Sequence, residues 1–467
     1  MDDWNTLLGR TAELAEGWLE GLADRPVAPT ASPAELRAAF DPDLPEHGEA
    51  ALQVIEDLVR AAQPALVAQP GPRYFGFVIG GSLPAALAAD WLTSAWDQNT
   101  GLFIMSPATA IIEETAARWI KDLAGLPSGA GVGFATGATM ATFTCLAAAR
   151  SAVLDRVGWD VEAHGLIGAP PVRVIVGGEI HVTATYALRL LGFGSASLIG
   201  VPVDDQGRMR ADALAELLRD SGAPTIVCAQ AGNVNTGAFD PLDEIATLTR
   251  EAGAWFHVDG AFGLWAAASP ALRHLVRGME RADSWTTDAH KWLNVPYDCG
   301  IAIVAEPKWQ LKAMAISAAY LIAADVERDG YDWVPEGSRR ARGVTVYAAL
   351  RSLGREGLAA LIERSCSLAR RFGERLSGEP GITVLNDIVL NQVLVRFDAS
   401  DGDAARGDAR SRATIAAIQA DGTMWAGSTT WQGKVAMRIS VSNWSTTEGD
   451  VDRSAEAIIR AARATPG

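Results

Sequence analysis

From about residue 66 to 355 the chain alternates short apolar runs with longer stretches whose apolar positions recur at helical spacing. Residues 172–176, 197–201, 225–229, 254–258 and 300–304 are runs of β type. A strand that is apolar at successive positions is covered on both faces, so the alternation predicts a mainly parallel sheet with helices on either side. Ahead of it, residues 4–22 and 48–62 have helical spacing and are separated by the proline-bearing stretch 25–45. Such a segment cannot bury both faces alone, and the expectation is that it clasps a partner subunit. After about 356 a long helix, 357–376, leads to strands at 383–385, 392–397 and 435–441 and a last helix from Thr447, a smaller α+β lobe. The expected domains are therefore 1–65, helical and dimer-forming; 66–355, α/β; and 356–467, α+β. The most apolar stretch, 84–96, contains Asp90 and reads as a buried helix, and the polar stretch 398–412 reads as an exposed loop.

Composition narrows the function. With 467 residues the chain exceeds one typical domain, and 49% hydrophobic with 21% charged residues is ordinary for a globular protein. A net charge of −16 argues against nucleic acid or an anionic membrane as partner, because either needs a basic face. Arg339, Arg340 and Arg342 form the one notable basic cluster. Cys145, Cys228, Cys299 and Cys366 are widely spaced, which suits a reducing cytoplasm and offers no metal-site spacing. The start, Met1-Asp2-Asp3-Trp4, is acidic where a signal peptide is basic, and no uncharged apolar run approaches the roughly 18 residues of a membrane span.

The chemistry concentrates in a few short motifs. In Asp288-Ala289-His290-Lys291-Trp292-Leu293-Asn294 a lysine follows a histidine, some thirty residues beyond His257-Val258-Asp259-Gly260-Ala261-Phe262. A lysine in that setting, downstream of a strand ending in aspartate, is how one large enzyme class holds pyridoxal phosphate (PLP). The lysine bonds the cofactor aldehyde, and the acid keeps the pyridine nitrogen protonated. An acid at the carboxyl end of a buried strand lies where α/β sheets present their sites. The run Gly131 to Met140, with Gly137, Ala138 and Thr139, opens a helix, and exposed N–H groups at a helix start favour a phosphate. It lacks the pattern of a nucleotide P-loop. His181 follows a strand and precedes a helix, which suits either ring stacking or a structural bond. Arg438, a cation inside an apolar strand, needs an anionic partner, either a substrate carboxylate or an internal acid.

Taken in order, these segments resemble the group II PLP-dependent amino acid decarboxylases, the family of the glutamate, cysteine sulfinate, diaminobutyrate and aromatic L-amino acid enzymes. The most specific stretches are Pro72-Arg73-Tyr74-Phe75-Gly76, Ser106-Pro107-Ala108, Asn235-Thr236-Gly237-Ala238-Phe239-Asp240-Pro241 and the two motifs around Asp259 and Lys291. The resemblance implies the fold-type I (aspartate aminotransferase-like) architecture of PLP-dependent transferases and a homodimer with active sites at the subunit interface. It implies Lys291 as the Schiff-base lysine and Asp259 as the pyridinium partner. Ala261 is then the residue under the ring, His181 the residue stacked on it, and Gly137, Ala138, Thr139 and Asn233 further cofactor contacts. His290 matches the family histidine beside the lysine, and Arg438 the arginine that binds a substrate carboxylate in glutamate decarboxylase-like members. The reaction implied is decarboxylation of an L-amino acid to its amine.

The chain also departs from the family pattern. Threonine is usual at the position of Asn233, and asparagine is frequent at Asp288; an ionised Asp288 beside a phosphate must point away or meet a cation. The loop from about 323 to 338 is short, and its tyrosine, Tyr331, is the candidate proton donor to the substrate α-carbon. Without a placed acid the outcome turns toward an aldehyde, so an aldehyde-forming decarboxylase or an aminotransferase is the alternative. Tyr74, Phe75, Gln98, Asn99 and Phe103 are the expected substrate wall, whose mixture of rings and amides leans slightly toward an aromatic substrate.

Overall fold

In a computed structural model the described residues are 3–41, 43–219, 222–316 and 327–466. They group into two compact units, one formed by 80–370 with 386–393, the other by 1–79, 371–385 and 394–467.

The larger unit is built on seven strands: β1 (Gly131–Ala135), β2 (Arg173–Gly177), β3 (Leu198–Val201), β4 (Thr225–Gln230), β5 (Trp255–Asp259), β6 (Ser284–Asp288) and β7 (Gly300–Val304). Their order is β1-β7-β6-β5-β4-β2-β3. The strands from β6 to β3 pair in parallel, and β7 alone runs against its neighbours β6 and β1. This is the fold-type I α/β arrangement. β4 to β7 are buried at every position, which is why they read as continuous apolar runs rather than as alternations. The helix Ala138–Asp155 packs across the sheet and is itself almost wholly buried.

Two strands lie where the pattern predicted none. β1 occupies the glycine-rich run expected to open a helix, and the helix starts only at Ala138. Its glycines are there for close packing: a Cβ on Gly131 would strike the Trp333 ring, and one on Gly133 the Trp333 carbonyl. β6 escapes the apolar pattern because Thr286, Thr287 and Asp288 mask it, yet all three are buried. The helix Pro84–Trp96 has the expected limits, but only Ala86 and Thr93 are buried along it, while Trp91, Leu92 and Trp96 are exposed in this chain. The basic cluster is not a surface for anions. Arg339 makes a bidentate, buried pair with Glu113 at 2.8 and 2.9 Å, Arg340 meets Asp90 at 2.7 Å and Arg342 meets Asp298 at 2.8 Å.

The smaller unit holds the N-terminal helices Trp4–Glu20 and Ala51–Ala62, with a third, Pro33–Phe40, inside the proline-bearing stretch. That third helix forms because Pro33 stands at its first position and Ser32 with Glu35 makes a reciprocal cap. Strands β8 (Ile382–Val384), β9 (Gln392–Phe397), β10 (Gly427–Trp431) and β11 (Lys434–Ser440) make a second sheet in the order β10-β11-β9-β8. The stretch read as a loop from 398 is helical from Ala404 to Asp421. Asp403 caps this helix by accepting from the Arg406 N–H, and Asp408 pairs with Arg396 at 2.6 Å. Its small and basic residues are good helix formers once a cap is in place, which outweighs their polar appearance.

Candidate active site

The parallel strands β4, β5 and β6 end together at Gln230, Asp259 and Asp288, and that edge carries most of the residues singled out from the sequence. At β5, Asp259 is 6% exposed and accepts from the Ala261 N–H at 3.0 Å, which turns the chain sharply after the strand. The Ala261 carbonyl in turn accepts from the Asp288 N–H at 2.9 Å, so the Asp259 turn and the lysine motif are laced together.

Three residues on, Lys291 extends back to Asp288, with Nζ 3.0 Å from the carboxylate. Asp288 is 2% exposed and thus meets the cation that its burial demands. His290 lies 3.8 Å from the other carboxylate oxygen through Nε2, while its Nδ1 accepts from the Cys299 N–H at 3.1 Å. Burial holds the His290 pKa below its ordinary value. The imidazole is therefore neutral, and because Nδ1 is an acceptor the proton is assigned to Nε2. Asn294, at φ 55°, closes the motif: its side-chain oxygen accepts from the Gly81 N–H at 2.7 Å and its carbonyl from the Leu83 N–H at 2.8 Å.

The start of the helix Ala138–Asp155 lies against this motif. A Cβ on Gly137 would touch His290 Cε1 at 3.6 Å, and one on Gly300 would run into the Gly137 backbone, so glycine is required at Gly300 for the two segments to approach. Gly137 is the cap position and no side chain caps the helix, so the N–H groups of Ala138 and Thr139 remain for a ligand. Asn233, 1% exposed, uses its side-chain oxygen to accept from the N–H groups of Asn235 and Thr236, while its Nδ2 is a buried donor with no acceptor among the described residues. An uncapped helix start against the lysine motif fits an anionic cofactor bearing an aldehyde, such as PLP, and the orphaned Asn233 amide is a further donor that could serve it. His181 caps the helix Val182–Leu190 by accepting from Thr183, and its turn is tied to β4 by Gln230, whose amide donates to the Glu179 carbonyl at 3.0 Å.

The other predicted residues fall elsewhere. Asn99 accepts from the N–H groups of Gly101 and Arg339, and the Phe103 N–H donates to Asp329 at 2.7 Å, so both are fastened to the segment that carries Tyr331. Gln98 is exposed, and its amide donates to the Trp96 carbonyl. Tyr331 is 6% exposed, bonded through its N–H to Gly101 and through its hydroxyl to Ile316 at 3.4 Å. Residues 323–326 of the expected loop lie outside the described residues. Tyr74, 3% exposed, stacks on Trp425, and burial pushes its pKa up to about 12. Phe75, its neighbour on the extended chain, points to the opposite side, where it is 1% exposed and packs edge-on against Phe372. Arg438, in β11, is half-buried with its pKa lowered by burial, and no carboxylate offsets the shift. Trp425 and Gln230 are not singled out by the sequence.

Comparison with known proteins agrees with this geometry. Residues 33–398 match the pyridoxal-dependent decarboxylase conserved domain. The chain is 31% identical over 386 residues to an L-2,4-diaminobutyrate decarboxylase of Rhizobium meliloti, covering 81% of this chain and 75% of that one. It is 27% identical over 399 residues to an aromatic-L-amino-acid decarboxylase of Manduca sexta, covering 82% and 78%. A crystal structure of Oryza sativa TDC with PLP and tryptamine superposes with a TM-score of 0.92 at 24% identity, covering 99% of this chain and 98% of that one, which shows a shared fold. The chain belongs to the pyridoxal-dependent decarboxylase family, with PLP as its cofactor and amino acid decarboxylation as its reaction.

Proposed function

We infer that the protein decarboxylates an aromatic L-amino acid to its amine, as a homodimer, with Lys291 as the cofactor-bearing residue. The observation that carries the reading is the convergence of Lys291, Asp259 and the uncapped helix start at Gly137 on one sheet edge. PLP, when bound, supplies an aldehyde that takes up the amine and a ring that accepts the electron pair left as CO2 departs.

The side chains have separate tasks in this reading. Lys291 holds the cofactor and later releases the product; Asp288 keeps its ammonium paired between those events. Asp259 holds the proton on the ring nitrogen. Ala138, Thr139, Gly137 and Asn233 hold the phosphate and ring substituents, and Ala261 and His181 hold the ring. His290, with its Nε2 proton, donates without carrying a charge of its own. Arg438 holds the substrate carboxylate, with Tyr74, Gln98, Asn99 and Phe103 shaping the space for the side chain. Tyr331 returns a proton to the α-carbon.

The exposed rings of Trp91 and Trp96, and the apolar groove of about 360 Å³ between the first two long helices, lined by Leu14, Trp18, Ile55 and Leu66, support a second copy as the covering partner. Four free, buried thiols support a cytoplasmic setting. The test is a screen of PLP-loaded protein against the common amino acids with diaminobutyrate, dihydroxyphenylalanine and cysteine sulfinate, with CO2 and products identified by mass. Amine and CO2 in equal amounts from an aromatic substrate are expected; turnover confined to acidic or diamino substrates refutes the aromatic assignment.

A further inference from the structure

Asp288 carries a charge at a position where asparagine is frequent in the family, and the fold gives it no way to turn aside. Its backbone is tied on both sides: the N–H donates to the Ala261 carbonyl at 2.9 Å, and the carbonyl accepts from the Trp265 indole N–H at 3.2 Å. Its register partner on β7 is Gly300, which has no side chain to stand between Asp288 and the glycine turn that opens the helix Ala138–Asp155. The carboxylate therefore reaches that turn. A Cβ on Gly137 would lie 4.0 Å from Asp288 Oδ1 and 3.6 Å from His290 Cε1.

The two carboxylate oxygens fare differently. Oδ2 meets the Lys291 ammonium at 3.0 Å. Oδ1 is buried and accepts no hydrogen bond from any described residue; His290 Nε2 stands 3.8 Å away, too far to donate. A buried carboxylate oxygen without a donor is unfavourable, and this one faces a helix start whose N–H groups no side chain caps, a feature that itself favours an anion. The neighbouring charges are matched elsewhere: Arg342 pairs with Asp298 at 2.8 Å and Arg339 with Glu113 at 2.8 Å. Burial keeps His290 neutral, so among the described residues Lys291 is the only cation paired with Asp288.

We propose that Asp288 is a resident anion that opposes the phosphate of the cofactor and so sets how tightly this enzyme holds PLP. This deepens, and rests on, the reading that the helix start at Gly137 holds the phosphate and Lys291 the aldehyde. Two like charges directed at the same N–H groups repel across a buried, weakly screened site. The same carboxylate holds the amine that the aldehyde needs, so one side chain bears on both functional groups of the cofactor. An amide of the same shape keeps an acceptor for Lys291, removes the charge and offers its own N–H groups to an anion.

The experiment compares PLP with pyridoxal, which carries the aldehyde without the phosphate. Full-length enzyme is equilibrated with each by dialysis, and the dissociation constants are read from the visible absorbance of the lysine-bound ligand, without turnover. The preference for PLP over pyridoxal reports the hold on the phosphate alone, because damage to the fold or to Lys291 acts on both ligands and cancels. Asp288→Asn is expected to raise that preference about tenfold or more, and Asp288→Ala to raise it less, since alanine removes the charge without adding a donor. Ala138→Pro deletes one N–H at the first helical position, where helices accept proline, and is expected to lower the preference about tenfold. A preference that both Asp288 variants leave unchanged, or lower, overturns the proposal. If Ala138→Pro lowers the preference while the Asp288 variants leave it unchanged, the phosphate stands at the helix start and the role of Asp288 alone falls. If the Asp288 variants raise it and Ala138→Pro has no effect, the opposition stands and the assignment of the phosphate to the helix start falls.

Discussion

The sheet edge of the larger unit and the ring stack of the smaller one are made of different materials. At the edge, short side chains and bare backbone do the holding: an aspartate, a lysine, an uncapped helix start and two glycines in contact. In the smaller unit, the Tyr74 and Phe77 rings stack on Trp425, which lies flat over Gly76. The first arrangement fixes charges and N–H groups by short contacts with main chain and suits bond-making, whereas the second offers broad apolar contact area and suits packing. Changes at the edge should therefore act on turnover and on the holding of the cofactor, and changes among the rings on the stability of the smaller unit.

The strongest way to break that division is at Lys291. Lys291→Ala is expected to abolish turnover together with the visible absorbance of the lysine-bound cofactor; a surviving band would mean that another lysine carries it. Asp259→Asn should keep the band and slow turnover by about 10²–10⁴-fold, with KM for an aromatic substrate changing far less; equal losses in both would blur the division. Gly300→Ala tests the contact of backbones. The added methyl has only the Gly137 backbone to push against, and the expected cost is about 2 kcal/mol of stability, seen as a lowered melting temperature with weaker PLP retention. Tyr331→Phe is a smaller change. It should shift product from amine toward aldehyde without altering the preference among aromatic substrates, and an unchanged product ratio would remove Tyr331 as the α-carbon acid.

The mildest expectation concerns acid. His257, fully buried in β5, is pushed down to about 3 by burial, well below its ordinary 6.5. The unfolded chain takes up a proton near 6.5 where the folded one does not, so this residue's contribution is full above pH 6.5 and is lost as the pH falls toward 3. Buried Asp240, raised to about 6 by burial, has the opposite sign between 6 and 3.8, since there the folded chain holds the proton. His257→Asn should accordingly flatten the acid side of the melting curve; the same slope in both proteins would rule the histidine out as its source.

How far these regions were legible from sequence follows from how each is written. The lysine edge is written contiguously: Asp288, His290 and Lys291 stand within one turn, and Asp259 ends a run of buried residues, so local order and period were enough. The ring stack is assembled from residues some 350 positions apart, and it depends on strand register. Nothing in the row of Tyr74 and Phe75 says which ring turns toward Phe372 and which stacks on Trp425 until the pairing settles it. Burial misled twice. The helix Pro84–Trp96 is as apolar as a core helix, and in this chain it is largely uncovered; 404–412 is polar enough for a loop and is helical because Asp403 caps it. Composition records what a segment could bury, while pairing and capping decide what it does.

The contact between Gly137 and Gly300 has a bearing on how the protein can change over time. Most core collisions can be relieved by shrinking the neighbour that is struck, so a damaging substitution leaves a route to repair elsewhere. Here the struck neighbour is main chain, which has no smaller form. A selection for suppressors of Gly300→Ala should consequently return revertants and no second-site change at position 137, and this short stretch should remain closed to drift.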